Sequence, residues 1–216
     1  MKRCVIIGGA EIENYRLIAG YLRESDYNIF CDCGLRHREG LCIEPDLIVG
    51  DFDSYPAPSS GMSDRGNSTP EVIALPREKD DTDTVFAVKE ALRRGFEDFL
   101  LAGVVGQRLD HTLANTSILL MLDSLGKKAV IADDYSLMEI VSSEPAFIED
   151  SFPYFSLLNI SGTAKGITIE NSKFPLRGGE ITCEYQYGVS NEVLPGHTAK
   201  VSVSEGRLLL VKIIAG

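Results

Sequence analysis

Asp81-Thr82-Asp83-Thr84-Val85-Phe86-Ala87-Val88-Lys89-Glu90-Ala91-Leu92-Arg93-Arg94-Gly95, followed shortly by Phe99-Leu100-Leu101-Ala102-Gly103-Val104, reads as a helix running into a strand. Val85, Val88, Ala91 and Leu92 fall on one side of a helical period, Asp81 or Thr82 offers an N-cap, and Gly95 offers a stop. The second part is a continuous apolar run of strand length. The same alternation extends outward in both directions. Towards the amino end lie candidate strands Val5–Ile7, Asn28–Cys31, Leu47–Val49 and Val72–Leu75, with helical spacing over Tyr15–Leu22. Beyond Val104 come a helix from His111 to Leu125, stopped by Gly126, and a strand Ala129–Ala132. Strands alternating with helices imply a parallel sheet covered on both faces.

The pattern changes near Leu137. Short alternating runs follow, at Met138–Val141, Phe155–Ile160, Ile167–Ile169, Ile181–Tyr185, Ala199–Val203 and Leu208–Ile214, with no convincing helix. Glu205-Gly206 signals a hairpin between the last two. The expected fold class is α/β: an N-terminal parallel α/β sheet domain over residues 1–135, followed by a small C-terminal all-β sandwich domain over 136–216. Residues 59–70, rich in Ser, Gly and Pro, read as a surface loop.

A net charge of −11 over 216 residues argues against a nucleic-acid partner, because phosphate backbones are held by a surplus of Lys and Arg. The opening Met-Lys-Arg-Cys-Val-Ile-Ile-Gly-Gly lacks the apolar run of a signal peptide, and no stretch reaches membrane-spanning length. A cytoplasmic protein with no membrane partner is expected. Five cysteines are an odd number. Cys31, Cys33, His37 and Cys42 formally allow a zinc site, against the plainer reading of small residues at a strand end.

Acids gather just past the strands: Asp32, Asp51 and Asp53, Asp80, Asp81 and Asp83, Asp110, and Asp133 and Asp134. Ligands of open α/β sheets bind outside the carboxyl ends of the strands, so these groups should converge. Carboxylates collected on one edge repel one another unless a cation lies among them, and Mg²⁺ bridging phosphate oxygens suits that role. Asp51 and Asp53, one residue apart at a strand exit, favour shared metal coordination. Asp81 and Asp110 are also natural helix caps, and Asp133 and Asp134 read as a turn. Lys79 and Arg108 stand beside acids in the same loops, as phosphate partners or as local ion pairs. The Gly8-Gly9 turn could bring backbone amides, Gly9 in particular, to a nucleotide, although it is neither a dinucleotide nor a Walker sequence. A metal-dependent phosphoryl transferase is the leading expectation. A glycosyltransferase using Asp-x-Asp and a non-catalytic ligand sensor are the rivals.

Asp46-Leu-Ile-Val-Gly-Asp-Phe-Asp-Ser54, Glu78-Lys-Asp-Asp-Thr-Asp83 and Gly106-Gln-Arg-Leu-Asp-His-Thr-Leu-Ala-Asn115 resemble, in order and spacing, the motifs of thiamine pyrophosphokinases. Tyr187-Gly-Val-Ser-Asn-Glu192 resembles that family's carboxyl-terminal signature. The resemblance implies ATP and thiamine as substrates, thiamine diphosphate and AMP as products, Mg²⁺ as cofactor, and a homodimer whose site is shared between subunits. It also implies an α/β domain binding ATP and Mg²⁺ and a β-sandwich domain binding thiamine. Carried over by position, Asp51, Asp53 and Asp83 resemble the Mg²⁺ ligands. Asp32, Asp80, Arg108, Asp110 and Asn115 match polar positions around ATP, with Lys79 and Arg108 neutralising the transferred group. Asp53 or Asp83 could take the hydroxyl proton, a role left open because a metal ligand makes a poor base. Ser190 and Asn191 match the region that contacts thiamine. The chain departs from the pattern at Asp32-Cys33-Gly34, where the family has Asp-Gly-Gly, and it contains no Trp. Thiamine's flat pyrimidine and cationic thiazolium suit an aromatic face, so Tyr187, bordering the motif with Tyr185 on the same side, is the expected stacking residue. The competing reading packs both tyrosines between β layers.

Overall fold

The structure, a computed structural model, describes residues 2–52, 69–78 and 80–214. The chain divides into two compact units, residues 1–134 and 135–216. Asp53, Lys79 and residues 59–68 of the expected surface loop lie outside the described residues.

The first unit holds the parallel sheet that the alternation implies. Its strands are β1 (Cys4–Ile7), β2 (Tyr27–Cys31), β3 (Leu47–Gly50), β4 (Glu71–Ala74), β5 (Asp98–Ala102) and β6 (Lys128–Ala132). Their spatial order is β6-β5-β1-β2-β3-β4, and every pairing is parallel. All of β1 and β3 is buried, as expected of strands covered on both faces. The helices are α1 (Tyr15–Ala19), α2 (Arg38–Leu41), α3 (Asp83–Arg93) and α4 (Leu109–Ser124). Thr82, one of the two expected caps, caps α3 by accepting from Val85 N at 3.3 Å. Asp81 instead pairs with Lys89 at 2.6 Å. Gly95 and Gly126 follow α3 and α4 with φ of 85° and 67°, the left-handed backbone that ends a helix. Between β2 and α2 the chain forms a 3-10 helix, Asp32–His37, which no apolar period announces.

From β1 the chain steps outward through β2, β3 and β4, then returns to the other side of β1 as β5. The direction of winding therefore reverses between β1 and β5, which opens a crevice at their carboxyl ends.

The second unit is a sandwich of two four-stranded antiparallel sheets. One has the order β12-β9-β14-β7, built from Gly188–Asn191, Tyr154–Leu158, Leu208–Ile213 and Ser136–Val141. The other is β11-β10-β13-β8, built from Leu176–Thr182, Thr163–Glu170, Thr198–Ser202 and Ala146–Glu149. Phe155, Leu157, Leu208 and Leu210 of the first sheet share a buried cluster with Ile148, Ile167, Ile181 and Val201 of the second. Strand β10 shows the alternation of a half-buried strand, with Ala164, Ile167 and Ile169 inward.

Two expectations fail here. Glu205-Gly206 does not close a hairpin: β13 pairs with β10 and β8, whereas β14 pairs with β7 and β9 in the opposite sheet. The segment between them crosses the sandwich edge and is held to β10 by Lys165 N–H donating to Glu205 O at 2.8 Å and Glu205 N–H donating to Lys165 O at 3.1 Å. Gly206, at φ 87°, packs so closely on Thr163 O that a Cβ would overlap it. The glycine thus serves a close approach between segments, which a short-range turn rule cannot distinguish from a two-residue loop. The strand expected at Ile181–Tyr185 lies earlier, at Leu176–Thr182, because Gly178 and Gly179 hide its pattern.

Candidate active site

The crevice at the β1/β5 switch point is a cleft of about 510 Å³, within the range of small-molecule sites. Its floor is backbone. Gly8 N–H donates to Ala102 O and Ala10 N–H to Gly103 O, both at 2.8 Å, so the segment after β1 stays fastened to the exit of β5. A Cβ on Gly9 would lie 2.5 Å from Cys33 Cβ, and one on Gly34 would overlap Ile7 O. The chain leaving β1 and the 3-10 helix after β2 therefore meet without intervening side chains. Of the residues singled out in the sequence, Gly9, Cys33, Arg108 and Asn115 line this cleft; Arg36 and Thr84 line it as well.

His37 secures the lip. Its Nε2 lies 2.8 Å from Ala10 O and its Nδ1 2.9 Å from Tyr15 Oη. A carbonyl only accepts, so Nε2 donates and the neutral ring accepts from the Tyr15 hydroxyl through Nδ1. Burial pushes the His37 pKa down, with the Ala10 bond opposing. Both ring nitrogens are thus engaged, Cys42 is exposed, and all five cysteines are free thiols. The zinc reading of Cys31, Cys33, His37 and Cys42 is set aside. Asp134, taken as a turn residue, also braces the β1–α1 loop: its two oxygens accept Glu13 N–H at 2.8 Å and Asn14 N–H at 2.9 Å.

Three of the acids lie after a strand or at the start of a helix in the first unit. Asp32 opens the 3-10 helix, and Asp51 follows β3 half-buried. A Cβ on Gly50 would come within 2.8 Å of Asp32 Cβ, so the two exits touch immediately before Asp51. Phe52 has φ 56°, a left-handed turn between Asp51 and Asp53 that costs energy for a residue with a Cβ. Asp83 stands in the first turn of α3, and its Oδ1, like that of Asp32, is buried. Burial pushes the Cys31 thiol far up, and the negative charges of Asp83 and, more weakly, Asp32 push the same way. Among the described residues no three His, Cys, Asp or Glu side chains already form a metal cage. The donors at these strand exits are carboxylates, the hard oxygen ligands that Mg²⁺ takes. They fit that ion. Asp80 is exposed.

Arg108 and Asp110 form a bidentate pair, with Nε to Oδ1 at 2.9 Å and Nη2 to Oδ2 at 2.6 Å. The guanidinium holds the Asp110 carboxyl far below its usual range. Asp110 lies inside the first turn of α4 and Arg108 occupies the N-cap position, so Asp110 is no cap. Asn115 is buried, and its Nδ2 donates to Val104 O at 2.8 Å, tying α4 to the segment after β5.

In the second unit Tyr185 and Tyr187 are 69% and 43% exposed, with ring centroids 5.5 Å apart, so neither is packed between the β layers. Tyr187 Oη donates to Glu180 O at 2.7 Å, which steadies the ring while a face stays open. Ser190 is exposed at φ 58°, and its N–H donates to Ser156 Oγ at 3.0 Å. Asn191 is buried: its Oδ1 accepts Phe174 N–H at 3.0 Å and its Nδ2 donates to Phe174 O at 2.8 Å. It thereby anchors the segment that precedes β11. Sequence reasoning passed over Arg36 and Tyr15, weighed His37 only as a formal zinc ligand, and read Asp134 only as a turn residue.

Comparison with known proteins adds a separate line. Residues 18–131 match the family described as thiamin pyrophosphokinase, catalytic domain, and residues 141–208 match thiamin pyrophosphokinase, vitamin B1 binding domain. The chain is 25% identical over 214 residues to the thiamine pyrophosphokinase of Bacillus subtilis (strain 168), covering 98% of this chain and 99% of that one. The crystal structure of the Bacillus subtilis thiamine pyrophosphokinase superposes with a TM-score of 0.85 at 22% identity, over 100% of both chains. That of the thiamin pyrophosphokinase from Geobacillus thermodenitrificans gives 0.82 at 24%, over 100% of this chain and 99% of the other. The structural likenesses bear on the fold.

Proposed function

Because the chain belongs to the thiamine pyrophosphokinase family, we propose that it transfers the pyrophosphoryl group of ATP to the hydroxyl of thiamine, giving thiamine diphosphate and AMP. The observation that carries this reading is the switch-point cleft with its glycine floor at the β1/β5 exits. Asp32, Asp51 and Asp83, after β2, after β3 and at the start of α3, are not among its lining residues but follow neighbouring strands of the same sheet. A nucleotide polyphosphate needs both close backbone approach and a divalent ion.

In the reaction the thiamine hydroxyl oxygen forms a bond to the β-phosphorus. The bond from that phosphorus to the α,β-bridging oxygen breaks, and its electron pair leaves on AMP. The hydroxyl proton passes to a carboxylate or to solvent. When bound, Mg²⁺ supplies charge neutralisation to the transferring group. Asp51, Asp53 and Asp83 would hold it. The chain's remaining work is positioning. Gly9 lets the backbone approach the nucleotide. Asp32 and Asp80 would complete the acidic edge, and Lys79 and Arg108 would neutralise the transferred group, the Arg108 fork being held by Asp110. Asn115 holds the β5–α4 loop in place. Tyr187 and Ser190 would contact thiamine, with Asn191 shaping the adjoining segment. The first unit is read as the ATP domain and the second as the thiamine domain of a cytoplasmic homodimer whose site draws on both subunits. No helix among the described residues is long and apolar enough to cross a membrane.

Incubation with ATP, Mg²⁺ and thiamine tests the assignment by chromatography. Thiamine diphosphate with an equal amount of AMP is expected, and chelation of the metal should abolish turnover. Formation of ADP with thiamine monophosphate would overturn the pyrophosphoryl reading.

A further inference from the structure

A cleft that accepts a polyphosphate on a chain of net charge −11 needs local positive charge. Arg108 and Arg36 are the arginines in its lining. The Arg108 fork is already closed on Asp110 by two hydrogen bonds of 2.9 and 2.6 Å, so that pair is close to neutral.

Arg36 differs in three respects. It lies in the 3-10 helix Asp32–His37, which packs its Gly34 against the end of β1 and its Cys33 against Gly9, so its backbone is fixed directly beside the glycine floor. Its Nε donates to Cys33 O at 2.9 Å, a bond within the same helix that restrains the near end of the guanidinium. Among the described residues no carboxylate closes on its terminal nitrogens. A guanidinium tethered through Nε, exposed, and set at the rim of a backbone-floored cleft presents its remaining donors as a planar fork, the geometry that suits phosphate oxygens.

We propose that Arg36 binds the polyphosphate of the nucleotide through its terminal nitrogens while Nε remains on Cys33. It is a substrate-binding residue carried by the same 3-10 helix as Asp32 and apart in sequence from the loops around Asp51, Asp83 and Asp110. The inference rests on the reading of this cleft as the nucleotide site.

Isothermal titration of the wild-type chain, Arg36→Ala and Arg36→Lys with ATP and with adenosine, in excess Mg²⁺, tests it. Arg36→Ala should weaken ATP binding by roughly tenfold to a hundredfold, the worth of a charge-assisted bidentate contact. Adenosine binding should be unchanged, because the nucleoside lacks the phosphates. Arg36→Lys should recover part of the loss, restoring charge without the fork. The thermal midpoint should hold in both variants, since the side chain is exposed. Equal ATP affinity in wild type and Arg36→Ala would overturn the role of Arg36 and leave the nucleotide site standing. Parallel loss of ATP and adenosine binding would also overturn it, making Arg36 a shaper of the cleft wall. Absence of ATP binding by the wild-type chain would overturn the nucleotide reading itself, and this inference with it.

Discussion

Gly206 combines a φ of 87° with a contact so close to Thr163 O that a Cβ cannot fit, so both backbone freedom and space require glycine there. Gly206→Ala should therefore destabilise the second unit by about 2 kcal/mol or more, the combined effect of left-handed strain and local displacement. Urea unfolding would measure it, and a midpoint equal to wild type would mean that the crossing segment relaxes freely. Tyr187 poses the residue-scale question for function. Its hydroxyl is held by Glu180 O, and its ring is 43% exposed beside Tyr185. If thiamine stacks there, Tyr187→Ala raises the KM for thiamine roughly tenfold, about the worth of one aromatic contact to a cation, and leaves that for ATP unchanged. Equal changes in both constants, or a lowered melting temperature alone, would assign the ring to packing.

Helix α3 shows how one element carries both a site residue and its own support. Its first turn presents Asp83 to the acidic edge, and its last turn is braced by Glu90. Glu90 accepts two bonds from Arg93 and one from Arg94, each at 2.7 Å. The Arg93 hydrogen bonds, aided by Arg94 and opposed by burial, lower its carboxyl from 4.5 to about 2. A carboxyl that is harder to protonate in the folded chain favours folding above its unfolded pKa and loses that contribution as pH falls through the folded one. Stability supplied by Glu90 is accordingly present above pH 4.5 and disappears towards pH 2. In Glu90→Gln, thermal midpoints should fall below wild type at neutral pH and converge with it in acid. A constant difference between the two across that window would show that the Arg93 and Arg94 bonds carry no pH-linked stability. The 3-10 helix Asp32–His37 works at the same scale. It brings Asp32 to Gly50, Cys33 to Gly9 and His37 to Ala10, and so joins the exits of β1, β2 and β3.

The whole-molecule prediction concerns assembly. A homodimer that shares its site lets one chain supply the acids of the first unit and the other the aromatic face of the second. Mixing inactive Asp53→Asn with weakened Tyr187→Ala chains should then give more activity than the sum of the two alone, once subunits exchange. Strict additivity, with exchange shown independently by a mixed-label dimer, would place each complete site within a single chain.

The amino-acid order by itself determined the strands through Ala132, the helices before β2, after β4 and after β5, the change to an all-β region near residue 136, and the placing of acids past the strands, but not the 3-10 helix and α2 between β2 and β3. These depend on local period, caps and glycine stops, which are written within a few residues of one another. The motifs around Asp51, Asp83, Arg108 and Ser190 were legible through their resemblance to those of thiamine pyrophosphokinases. What only the tertiary structure decided is what depends on distant segments meeting. Glu205-Gly206 has the composition of a hairpin turn, yet β13 and β14 enter different sheets, because the hydrogen-bonding partners of each strand lie far away in sequence. Strands β8 and β12 are short and weakly patterned, and pairing with β13 and β9 makes them strands. The bidentate closure of Arg108 on Asp110, the anchoring of Asn115 on Val104 O and of Asn191 on Phe174, and the exposure of Arg36 beside Gly9 likewise arise from packing. A side chain's available bonds depend on which backbone comes to lie beside it, and that is settled by the fold as a whole.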